Sequence, residues 1–187
     1  MPAKSIFNAH RKPKFGDLIL AAHKGDADVV KDLLKRGANP NEESFEFFFP
    51  LGAAAEQGHV EVARLLIENG ADVNKKASDT ALTFAAGKGQ AEVVRLLIDK
   101  GADIYETGMA QLDAQDLARI LGFEKIEQML KDANESRQQL LAVEKASAAA
   151  AAQAAETARV EYVSDPRLHR DIPKPKLLRV PASAVQQ

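Results

Sequence analysis

Apolar residues in this chain recur at helical spacing in three closely similar blocks. In the middle block Val60, Val62, Ala63, Leu65, Leu66 and Ile67 fall on one side of a helix, with Glu61, Arg64 and Glu68 on the other. Before it runs a short Ala-rich stretch, Leu51–Glu56, broken by Gly58. After it comes Gly70, a residue suited to a left-handed helix stop because it has no Cβ. The unit therefore reads as helix, tight turn, helix and loop. Equivalent glycines at Gly25, Gly58, Gly89 and Gly122 are spaced by 33, 31 and 33 residues. A fixed period in this range predicts stacked supersecondary units, none of which can bury its apolar face alone.

Two phrases carry the repeat. One is "AAHKGDADVVKDLLKR", "AAEQGHVEVARLLIEN" and "AAGKGQAEVVRLLIDK"; the other is "GANPN", "GADVN" and "GADIY". This pattern resembles the ankyrin repeat family, with close copies at residues 49–74 and 80–105, a third at 16–41, and a truncated terminal copy at 113–130. The resemblance covers about 115 residues and implies an all-α, ankyrin-type helix-turn-helix solenoid with irregular loops. This chain departs from the family where a Thr-Pro-Leu-His phrase is usual: Ile19, Gly52, Thr83 and Asp116 stand at the His position. The second interval is two residues short, so the loop from Asn74 to Thr80 is expected to be a clipped finger. No loop carries an Asp-x-x-Gly turn, and regular hairpins are not expected.

Composition narrows the function. The chain has 187 residues, 45% of them hydrophobic, enough for one domain with extensions. With no cysteine there are no disulfides, no thiol catalysis and no cysteine-ligated zinc. No apolar run reaches eighteen residues, so no membrane span is expected, and the start "MPAKSIFNAHRKPKF" lacks the apolar core of a secretion signal. A cytoplasmic location is expected, with a secreted effector as the alternative. The net charge of −2 conceals basic ends. Lys4, Arg11, Lys12 and Lys14 give residues 1–14 a charge of +4; residues 163–187 carry +3, and the remainder −9. An acidic body argues against nucleic-acid binding there.

We read residues 1–14 as a basic disordered arm, 15–131 as the repeat domain, 134–162 as an Ala-rich helix and 163–187 as a Pro-rich, basic, disordered tail. The Ala-rich segment has neither Gly nor Pro, and its length predicts a helix of about 40 Å. Leu140, Leu141 and Val143 are expected to dock it, and the same helix to cover the last repeat. In the tail, "IPKPKLLRVP" has the form of a short linear motif, with Leu177 and Leu178 as anchors.

No catalytic constellation is present, and neither a cofactor nor a metal is expected. His59 follows Gly58, where the resemblance implies packing or capping; His23 is expected at the surface. "AAGKGQAEV" lacks the spacing of a phosphate loop, and Gly87 and Gly89 read as helix breakers.

The resemblance implies a non-catalytic protein-interaction module whose concave surface and finger tips bind an unidentified protein. Its variable positions before the inter-helix glycine are His23 and Lys24, Glu56 and Gln57, Gly87 and Lys88, and Ile120 and Leu121. The fingers offer Phe45, Glu46 and Phe48, then Lys75, Lys76, Ser78 and Asp79, then Met109, Ala110 and Leu112. From these we select Phe45, Glu46, Phe48, Glu56, Gln57, Lys75, Lys76 and Lys88 as partner contacts. The loop "NEESFEFFFP" holds four of the eight phenylalanines: an interaction patch, or an internal cover for the first repeat. Phe49 is expected inward, and Leu20, Ala53, Phe84 and Leu117 in the core. Two other readings stand beside this one: an assembly subunit acting through its C-terminal helix and tail, and self-occlusion of the acidic repeats by the basic tail.

Overall fold

A computed structural model describes residues 12–44 and 49–164, with the side chains of the last helix through residue 157. Phe45, Glu46 and Phe48, the basic arm before Lys12 and the tail after Ser164 lie outside the described residues. The first three repeats are helix pairs: α1 (Asp17–Lys24) with α2 (Ala27–Lys35), α3 (Pro50–Gln57) with α4 (Val60–Glu68), and α5 (Ala81–Gly87) with α6 (Ala91–Asp99). A fourth pair follows, α7 (Ala114–Leu121) and the start of α8 (Glu124–Ser164). No strand is present among the described residues; one isolated antiparallel bridge joins Lys76 to Thr80 in the clipped finger. None of the described helices is long and apolar enough to cross a membrane.

The chain divides into two compact units, residues 1–138 and 139–187. In the first, α1 stacks on α3, α3 on α5 and α5 on α7, while α2, α4 and α6 form a second row. Alanine makes the first row possible. Ala21, Ala22, Ala54, Ala55, Ala85 and Ala86 are all at most 1% exposed, so the helix backbones approach closely. Larger core side chains come from both rows, Leu18, Leu51 and Leu82 from the first and Val30, Leu33, Val62, Leu66, Val93 and Leu97 from the second, and join Ile126 and Leu130 of α8 in one continuous cluster. In the second unit, helical residues 139–157 are exposed throughout, including Leu140, Leu141 and Val143.

Asparagine ties the repeats together. Asn41 donates to the Gly70 carbonyl at 2.9 Å and accepts from the Asp72 amide at 2.7 Å. Asn74 does the same one repeat on, with Gly101 at 3.4 Å and Asp103 at 2.7 Å. Each bond satisfies a loop backbone group just past the end of a second helix. Tyr105 occupies the third such position, and its hydroxyl donates to Asn134 Oδ1. Asn134 in turn stands where Gly37, Gly70 and Gly101 end the earlier second helices with φ of +85°, +88° and +83°. No glycine stop occurs there, so α8 begins at Glu124, ten residues before the expected helix start, and runs on as one element.

Each first helix solves its N-terminus differently, which explains the loss of the Thr-Pro-Leu-His phrase. Before α5, Thr80 and Thr83 form a reciprocal capping box, both of them buried. Before α7, the Asp113 side chain accepts from the Asp116 amide at 2.8 Å. Before α3, Phe49 is packed rather than hydrogen-bonded. It is 1% exposed, tilted at 58° against Phe84 with centroids 6.4 Å apart. A Cβ on Gly52 would lie 3.0 Å from the Phe49 ring, so glycine there makes the room.

Helix α1 draws on a distant residue. The Glu42 carboxyl lies among the backbone amides of Gly16, Ile19 and Leu18, and its Oε1 is buried without a hydrogen-bond partner. Burial raises its pKa above the ordinary 4.5, and Asp17 adds to the rise against the lowering by the amides. A carboxyl raised in the folded state holds its proton more tightly there than in the unfolded chain. It therefore opposes folding as pH rises from 4.5 through the folded value. We expect Glu42→Gln to remove this slope, so that the melting temperature of the variant relative to the parent is higher at pH 7 than at pH 4.5. Parallel melts across that range check it, and a pH-independent difference refutes it.

Candidate functional site

The first helices and the loops present the positions singled out as contacts, and every described one of them is engaged across a repeat boundary. Glu56 on α3 pairs with Lys88 beyond the end of α5, Oε1 to Nζ 3.1 Å. Gln57 Nε2 lies 3.2 Å from His23 Nε2 at the end of α1. In the loops Lys75 pairs with Glu43 at 3.0 Å, and Lys76 pairs with Glu106. The side chains thus form two polar rows, one along the ends of the first helices and one along the fingers. Exposed pairs of this kind contribute only about 0–1 kcal/mol each, so a partner can exchange them at small cost.

Beneath the helical row lies a second set of contacts that the sequence reading did not resolve. The His59 ring covers Gly25, where an added Cβ would come within 2.6 Å, and His59 Nε2 lies 3.1 Å from the His23 carbonyl oxygen. Gln90 repeats the arrangement over Gly58, donating to the Glu56 carbonyl at 3.2 Å. At the last junction Phe123 covers Gly89 by packing alone. His59 begins α4 without a side-chain cap, so its role is to bridge repeats, and His23 is exposed as expected. Gly89, at φ +74°, provides the stop after α5, whereas Gly87 is still helical and lies 4.0 Å from Leu117 by its would-be Cβ.

Apolar side chains complete the surface. Ile120 is 63% exposed, Leu121 50% and Met109 76%. These three are open to solvent, while Leu112 is half-buried. Leu117, also half-buried, joins Ile120 and Leu121 on one face of α7, since residues three and four apart are neighbours on a helix. Leu20, expected in the core, is 48% exposed. Ala53 is buried, and Phe84 is half-buried against the core.

Regular stacking of helix pairs, asparagine bridges between successive loops and polar rows on the inner helices define a repeat scaffold. Residues 18–107 match the family model described as ankyrin repeats, three copies. That stretch of the chain is an ankyrin repeat array, a class that generally serves as a protein–protein interaction module. No curated protein matches the chain.

Proposed function

We propose that this chain is a non-catalytic binding module that captures a partner protein on the surface made by its first helices and finger loops. The observation that carries this reading is the exposed apolar face of α7. Leu117, Ile120 and Leu121 continue a surface whose other positions hold the Glu56–Lys88 and His23–Gln57 bridges. Clustered apolar residues ringed by polar ones mark interaction sites, and a pre-ordered surface lowers the ordering cost of binding. Phe45, Glu46 and Phe48, with Lys75 and Lys76, extend the proposed contact set into the fingers.

Capture from native lysate by the whole chain, by Ile120→Ser/Leu121→Ser and by Phe45→Ala/Phe48→Ala tests it. Each double variant is expected to keep its helicity and to weaken capture by roughly tenfold or more, the usual scale for central apolar contacts. Undiminished capture by both variants overturns the reading.

The exposed Leu140, Leu141 and Val143 favour a second reading, assembly through the C-terminal helix. In that case Leu140→Ser/Val143→Ser, and not the α7 variant, abolishes capture.

A further inference from the structure

The two ends of the repeat array are finished in opposite ways. At the C-terminal end, positions buried in the first three copies turn polar in the fourth. Ala22, Ala55 and Ala86 become Arg119, and Val30, Ala63 and Val94 become Glu127. Half-buried Leu34, Ile67 and Ile98 become Lys131, which pairs with Glu127 at 2.6 Å. A polar outer face of this kind closes a solenoid against further stacking.

Among the described residues, the N-terminal end has no such finish. Leu117 and Phe84 show where their position in the repeat leads: each reaches into the preceding repeat, Leu117 to Gly87 and Phe84 to Phe49. Leu20 is the same position in the first copy, where no described repeat precedes it, and it is 48% exposed. Val29 is only half-buried, whereas its counterparts Val62, Val93 and Ile126 are buried. Phe15, just ahead of α1, is 62% exposed. The outer face of the first repeat therefore presents exposed apolar side chains.

Area and tethering decide what fits it. Two helices of 8 and 9 residues, each about 13 Å long and about 10 Å apart, offer a few hundred Å². A stable dimer needs about 800 Å² from each partner, so a second copy gains too little here. A segment already joined to the face needs no such area, because its association is intramolecular. Residues 1–11 join it at Lys12 and contain two adjacent large apolar residues, Ile6 and Phe7. The five residues from Phe7 to Lys12 reach up to about 17 Å, longer than α1. Beside the junction is a cavity of about 440 Å³ lined by Lys12–Phe15 on one side and by Arg36–Asn39 and Glu42 on the other, with Phe15 and Ala38 as its apolar walls. The segment's Lys4 and Arg11 complement Glu42 and Asp17.

We propose that residues 1–11 of this chain close the open end of the array by seating Ile6 and Phe7 against the Leu20–Val29 face. The arm then acts as an N-terminal cap, matching in apolar form what Arg119, Glu127 and Lys131 do at the other end.

Hydrogen exchange on the whole chain tests this, comparing the parent with Ile6→Ser/Phe7→Ser, Leu20→Ser and the combined variant, alongside sedimentation of each. The expected result is a monomeric parent in which the arm variant speeds exchange in α1 and α2 on the order of tenfold, with α5–α7 unchanged. Adding Leu20→Ser to the arm variant should then have less effect than it has on the parent, because the two sites share one contact. Exchange in α1 that ignores the arm variant overturns the proposal. So does a parent dimer that Leu20→Ser dissociates, which would assign the face to a second copy.

Discussion

Replacing Phe49 with alanine is expected to lower the stability of the repeat domain by about 3–5 kcal/mol, the range for truncating a buried aromatic side chain. The ring is 1% exposed, stands against Phe84, and fills the space that Gly52 leaves by lacking a Cβ. Nothing nearby can collapse into the void cheaply, because the alanines of α3 are already buried against neighbouring helices. Thermal unfolding followed by circular dichroism should show the midpoint falling by roughly 10 °C or more. A loss below about 1 kcal/mol would mean that the ring does not support the core. The measurement also separates Phe49 from Phe45 and Phe48: substitution of those two is expected to alter partner capture and leave the midpoint in place.

The second large effect is expected at Gly89, and Gly122 supplies its control. Their backbones are nearly identical, φ +74° and +75°. Alanine in this left-handed conformation costs about 1–2 kcal/mol at either site. Around Gly122 an added Cβ meets nothing within 4 Å; at Gly89 it would lie 2.8 Å from the Phe123 ring. Displacing a packed ring adds about 1–3 kcal/mol, so Gly89→Ala should cost about 2–5 kcal/mol and Gly122→Ala about 1–2. Equal losses in the two variants, measured by denaturant titration, would show that Phe123 does not lock the third repeat to the fourth.

Much of this architecture was legible in the residues themselves. The Val, Leu and Ile spacing of α2, α4 and α6, the glycines behind them and the recurring loop phrase give the helix pairs directly. The inward position of Phe49 was legible too, because it occupies a recurring slot at the start of a first helix. The candidate surface was less so. Glu56, Gln57, Lys75, Lys76 and Lys88 were picked one at a time as variable positions, yet in the fold they pair across 30 or more residues with partners that no local pattern announces. Leu20 misled for a related reason. Its position is a core position in a repeat with a predecessor, and burial there depends on the neighbouring repeat. Ile120 and Leu121 stand at variable positions of the last first helix, and their exposure depends on the absence of close neighbours, which local spacing does not specify.

Local chemistry alone determined the helices, their stops and the period, since these depend on side-chain spacing and on backbone freedom at single glycines. Even the length of α8 follows locally: no glycine or proline interrupts the chain between Phe123 and Asp165. Only the tertiary structure decided how each first helix is capped, which residues bridge successive repeats, and which end of the array is left apolar. Those outcomes depend on contacts between residues a full repeat apart, whose geometry is set by stacking.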